Sequence, residues 1–90
     1  MAAVFWPEPV RQVLREMSER EQRLILERVG RLRNFPEMYP LRSKGPFRGC
    51  RWFVAGDWLV YYRFTGGTVH IRALWPARIP WKAAWKRTAD

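Results

Sequence analysis

Gly66-Gly67 is the tightest constraint in the chain, because it separates two strand-like runs, Trp58–Thr65 and Thr68–Trp75, by only two residues. A Gly-Gly pair accepts φ > 0 at both central positions, so it favours a primed two-residue hairpin turn. The register follows from that turn. Thr65 faces Thr68, Phe64 faces Val69, Arg63 faces His70, Tyr62 faces Ile71 and Tyr61 faces Arg72, with Trp58 reaching Trp75. Side chains alternate along a strand, so the hairpin sorts into two faces. One carries Trp58, Val60, Tyr62, Phe64, Val69, Ile71, Ala73 and Trp75, a core surface; the other carries Leu59, Tyr61, Arg63, His70, Arg72 and Leu74. A slip of one residue would mix the two sets.

The rest of the chain supplies what must cover the core face. Ala3–Trp6 reads as a short strand ending at Pro7, and Val10, Val13, Leu14 and Met17 then follow helical spacing. Ser18 and Glu21 form a capping box that starts a second helix, with Leu24, Ile25, Val29 and Leu32 on its inner face and Arg23, Glu27 and Arg31 outside. This helix is expected to stop near Asn34, ahead of Pro36. Residues 35–48 hold three prolines and read as an irregular surface loop bearing Arg42, Lys44 and Arg48. A strand from Cys50 to Ala55 leads through Gly56-Asp57 into the hairpin. The sequence therefore predicts an α+β fold, β-α-α-β-β-β. It comprises an N-terminal strand, an antiparallel helix hairpin and a three-stranded antiparallel meander, followed by a short C-terminal helix or tail around Trp81 and Trp85. Residues 1–90 form a single domain, in which the helices bury their apolar stripe on the sheet.

Composition narrows the function. Of 90 residues, 48% are hydrophobic and six are Trp, enough apolar surface for a core and too much for a disordered chain. The single Cys50 excludes an intramolecular disulfide. No metal-ligand cluster, phosphate-binding glycine loop or nucleophile triad is present, so no cofactor is expected. No signal-peptide pattern and no apolar run near the ~20 residues of a membrane span occurs, and the expected compartment is the cytoplasm. The net charge of +9 favours a polyanion or an acidic protein partner.

The outer hairpin face holds the candidate chemistry. Cleavage of RNA through its own 2′-hydroxyl needs a base, cations to hold the developing phosphorane charge and an acid for the leaving oxygen. His70 is a side chain of the type that works near neutral pH, and Arg63 and Arg72 can clamp a phosphate. Tyr61 can stack a base. Arg42, Lys44, Arg48 and Arg51 extend a phosphate track, and Trp81 and Lys82 form a basic aromatic tail. The plainer alternative makes Arg63 and His70 a cross-strand pair on a wet face and the loop cations solvated.

The order of elements, together with Gly49, Gly56-Asp57-Trp58, Val60, Tyr62-Arg63, the strand Val69–Arg72 and the Phe5-Trp6-Pro7-Glu8-Pro9 opening, resembles the RelE/ParE superfamily of bacterial toxins. The resemblance spans roughly Val4 to Trp81. It implies a toxin that either cleaves messenger RNA on the ribosome or poisons DNA gyrase, with an antitoxin protein wrapped around it. The RNA-cleaving branch places basic residues on the middle strands and after the last one, with a Tyr or His near the C terminus. Here Leu59 stands at a usual Arg position, Trp52 and Val54 at two often basic ones, and Trp81 at the terminal aromatic, while Arg78 is kept. The sequence thus nominates Arg63, His70, Arg72 and Arg78 as catalytic, with a non-enzymatic or gyrase-binding toxin as the alternative.

Overall fold

The computed structural model describes residues 1–78; Trp81, Lys82 and the expected C-terminal helix lie outside the described residues. In chain order the elements are β1 (Ala3–Phe5), α1 (Glu8–Arg15), α2 (Glu19–Arg31), β2 (Arg51–Ala55), β3 (Trp58–Thr65) and β4 (Thr68–Pro76). They form one mixed sheet in the order β1-β4-β3-β2, with β1 parallel to β4 and the other pairs antiparallel. Gly66 and Gly67 have φ of 57° and 79°, as a primed turn requires.

Local sequence explains the helix ends. Pro9 sits in the first turn of α1, where a missing N–H costs nothing, and Glu8 is bound by Arg11 and Arg15 at 2.6 Å each. Ser18 Oγ accepts from the Glu21 amide, while Glu21 Oε1 accepts from the Ser18 amide, closing the capping box that starts α2. On its outer surface Arg23 pairs with Glu19 and Arg31 with Glu27. The helix ends at Arg31, and a turn carries the chain past Asn34 to Pro36. Val10, Met17, Ile25, Val29 and Leu32 are buried against Phe53, Ala55, Val60, Tyr62, Val69, Ile71 and Leu74.

The hairpin register departs from the sequence reading halfway along. Pairs from Thr65↔Thr68 to Tyr62↔Ile71 are as expected, but the next is Tyr61↔Ala73, so Arg72 is an extra residue in β4. This β-bulge reverses the alternation beyond it. Leu74 now lies opposite Val60 in the core, and Ala73 and Trp75 turn to the outer face beside Tyr61 and Leu59. Burying a Leu rather than an Ala at this position is worth roughly 2 kcal/mol, more than one disrupted ladder bond costs.

Residues 35–49 also differ from the free surface loop that their prolines predict. They wrap around the β2 edge of the sheet and stack on both of its faces. On the helix side, Tyr39 stacks on Phe53 with centroids 4.4 Å apart, and Pro36 O accepts from Tyr62 Oη at 2.8 Å. On the outer side, Phe47 stacks on Tyr61 at 4.0 Å and 14°. Arg51 holds the segment between them, donating to Tyr39 O at 2.7 Å and to the Glu37 carboxylate at 3.3 Å.

Glu21 also accepts from Trp58 Nε1 at 2.7 Å, tying α2 to β3. That bond, with those at Ser18, holds the Glu21 carboxyl below its ordinary 4.5. Its contribution to stability is therefore complete above the unfolded-state value and is lost as pH falls through the lower folded-state value. Glu21→Gln should flatten part of the acid limb of stability measured by urea unfolding against pH, leaving a slope from Glu8; an unchanged acid limb would refute this linkage. The adjacent tyrosines give a second contrast. Tyr62 is buried and its phenol is pushed up to about 12, chiefly by desolvation, whereas the Tyr61 hydroxyl is buried with no hydrogen-bond partner among the described residues. Tyr62→Phe, which strands the Pro36 carbonyl, should cost about 1–3 kcal/mol in the same assay. Tyr61→Phe should be neutral or stabilising, and a large loss there would contradict this placement.

Candidate functional site

The two faces of the molecule are charged differently. Every acidic side chain among the described residues lies outside the strands, on the helices, the proline-rich segment or the Gly56-Asp57 turn. Glu8, Glu19, Glu27 and Glu37 are each engaged by arginines. Among the described residues, no strand of the outer face carries a carboxylate to balance its cations.

On that face the side chains form rows across the strands. The row nearest the Gly-Gly turn after the threonines is Phe5 on β1, His70 on β4 and Arg63 on β3, fixed by the pairs Phe5↔His70 and Arg63↔His70. Phe5 and His70 meet edge to face, with centroids 6.0 Å apart at 64°. Arg63 is exposed and donates to Arg48 O at 3.3 Å. Its guanidinium passes over Gly49, where a Cβ would lie 3.0 Å from Arg63 Nη2; with φ of 87°, this position has two reasons to be glycine. Arg72 projects from the bulge two residues beyond His70 and is exposed. Neither Arg63 nor Arg72 enters an ion pair among the described residues.

The next row, Trp52, Tyr61 and Ala73, is apolar, and the row beyond it holds Val54, Leu59 and Trp75. The cations borne by the strands of the outer face therefore lie in its turn-proximal half, and Arg42 of the proline-rich segment lies beyond it, over Trp52.

Several residues nominated by the sequence fall elsewhere. Tyr61, expected as an open stacking platform, is fully buried beneath Phe47, because the 35–49 segment folds over it. Arg78 follows the far end of β4, where Ala77 N donates to Asp57 O; Pro76 alone is six residues along the strand from His70, a span of ~20 Å. It does not join the Arg63, His70 and Arg72 cluster. Arg51 is committed to the Glu37 and Tyr39 contacts. Arg42 lies over the Trp52 ring at 5.6 Å, while Lys44 and Arg48 are exposed on the same segment. Phe5 was not among the nominated residues, since a three-residue strand gives no sign of its partner; its neighbours Pro7 and Pro9 were the only available signal that the chain turns away there.

No protein-family profile matches this sequence, and no curated protein sequence matches it. Solved structures do. The isolated E. coli RelE toxin superposes with a TM-score of 0.72 at 14% identity, covering 98% of this chain and 99% of that one. The intact E. coli RelBE toxin–antitoxin complex gives 0.71 at 11% identity, covering 86% and 98%. The described residues thus have the fold of the RelE toxin, as the order of their strands and helices led us to expect.

Proposed function

We propose that this chain is the toxin of a toxin–antitoxin pair and that it acts on RNA through the outer face of its sheet. The observation that carries this reading is the segregation of charge. Arg63 and Arg72 flank His70 on a surface where the strands carry no carboxylate among the described residues, while Glu8, Glu19 and Glu27 on the helices are paired with arginines. The shared fold with the RelE toxin and the RelBE complex supports both the toxin role and an antitoxin partner. The net charge of +9 favours an acidic one.

In the proposed chemistry a phosphate of single-stranded RNA lies between the two guanidiniums, which hold the charge that grows on its oxygens. His70 takes the proton of the neighbouring 2′-hydroxyl as that oxygen attacks phosphorus. The bond from phosphorus to the 5′-oxygen then breaks, and the imidazolium returns the proton to it. The products are a 2′,3′-cyclic phosphate and a 5′-hydroxyl. No group outside RNA and protein is consumed, and the ribosome can supply the RNA already unpaired.

A second reading is favoured by a specific observation. With Tyr61 covered and Arg78 remote, His70 is the one described side chain on the cationic half suited to moving protons near neutrality. A toxin that grips a target such as DNA gyrase without cutting RNA would need no more than the cations.

Inducing the chain in a bacterial host and mapping transcript ends separates these readings. Cleavage predicts new ends bearing 5′-hydroxyls inside coding regions. Arg63→Ala and His70→Gln should each lower their frequency about 100-fold or more, since a transition-state donor or base is typically worth 10²–10⁴. Arrested growth with intact messages and DNA damage would favour the gyrase reading, and undisturbed growth would sink the toxin assignment.

A further inference from the structure

The three residues of β1 cover only the first part of the nine-residue β4, and their parallel pairing ends at Phe5↔His70. From Ile71 onward no strand of the described residues lies on that side of β4. Pro7 and Pro9 have by then turned the chain into α1, and the gap between them and β4 is a cavity of about 330 Å³. Phe5, Pro7, Pro9, His70 and Arg72 line it. This volume is at the lower end of the ~300–1,000 Å³ range of small-ligand sites, which suits one planar ring system and little more.

The lining has two chemistries. Phe5 is 54% exposed, an unusual position for an aromatic ring, and its contact with His70 fixes its orientation. The prolines add apolar wall and no N–H donors. At the rim are His70 and the exposed Arg72. A flat apolar ring beside a guanidinium matches one ligand class closely, the nucleotide, whose base stacks while its phosphate binds the cation.

We propose that this cavity is a base-binding subsite of the RNA surface, in which an unpaired nucleobase stacks on Phe5 while Arg72 holds its adjoining phosphate. The inference rests on the RNA reading above and extends it. Phe5 and Arg63 lie two strand spacings apart, ~10 Å, so one RNA strand crossing the row of Phe5, His70 and Arg63 places a base in the cavity and its neighbouring phosphate over the imidazole. The subsite would set the position of the strand relative to His70.

Fluorescence anisotropy with a short 2′-O-methylated oligoribonucleotide, which binds but cannot be cleaved, tests this beside an abasic oligomer of the same backbone. Phe5→Ala should weaken binding to the base-bearing oligomer about 5- to 100-fold, the usual worth of one stacked base. Its affinity for the abasic oligomer and its salt slope should stay those of the unmodified chain, because no charge has been removed. Phe5→Trp should keep the affinity, and matching thermal melts would confirm that both variants are folded. Undiminished binding by Phe5→Ala, or an equal loss on the abasic oligomer, overturns the subsite and leaves the RNA reading standing. An affinity loss seen with poly-glutamate and not with RNA assigns the cavity to an acidic protein partner and also overturns it. Failure of the unmodified chain to bind either oligomer overturns the RNA reading itself.

Discussion

One unpaired residue, Arg72, decides what each face of this sheet presents. Without the bulge opposite the Tyr61-Tyr62 step, Leu74 would point outward and Ala73 and Trp75 inward. The helices need a filled surface to pack on, and Val60, Ile71 and Leu74 supply it. Arg72 itself is exposed two residues beyond His70, the side on which the unbulged alternation would also leave it. The packing of the core against the helices is thus settled by a single backbone irregularity, next to the cations of the outer face.

The wrapped segment from Phe35 to Gly49 performs the complementary task. It anchors one stack on Phe53 and the other on Tyr61, so the edge of β2 is gripped from both sides. Its Leu41 bridges Arg51 and its Arg42 amide donates to Cys50 O, which shields an edge otherwise open to pairing with another chain. By covering Tyr61 it also removes that ring from the accessible outer face, where Arg63 and Arg72 remain exposed. The segment therefore shapes the outer face of the sheet as well as stabilising its edge.

Much of this was legible in the residues. The Gly-Gly turn, the capping box of Ser18 and Glu21 and the helical spacing of Ile25 and Val29 are local signals, and each lies where expected. The pairing of Arg63 with His70, the third pair from the turn, followed from the turn alone. What failed was non-local. A bulge depends on which of Ala73 and Leu74 the helices can accommodate, which a strand pattern cannot report. The stacking of Phe47 on Tyr61 depends on the path of a proline-rich segment through space. The parallel docking of β1, which brings Phe5 to His70, joins residues 65 apart in the chain, with no turn to fix the register. Accordingly the juxtaposition of Arg63 and His70 was readable from sequence, while the covering of Tyr61 and the placement of Phe5 beside His70 required the fold.

The proposed function requires RNA to bind the turn-proximal half of the outer sheet face, whose strands carry no carboxylate among the described residues. Titrating isotope-labelled protein with an uncleavable single-stranded oligoribonucleotide, and following the backbone amide resonances, tests it residue by residue. The largest shifts are expected at Phe5, Arg63, His70 and Arg72, with α2 around Arg23 and Arg31 unmoved. Shifts concentrated on the helices, or on the far end of β4 near Arg78, would contradict it.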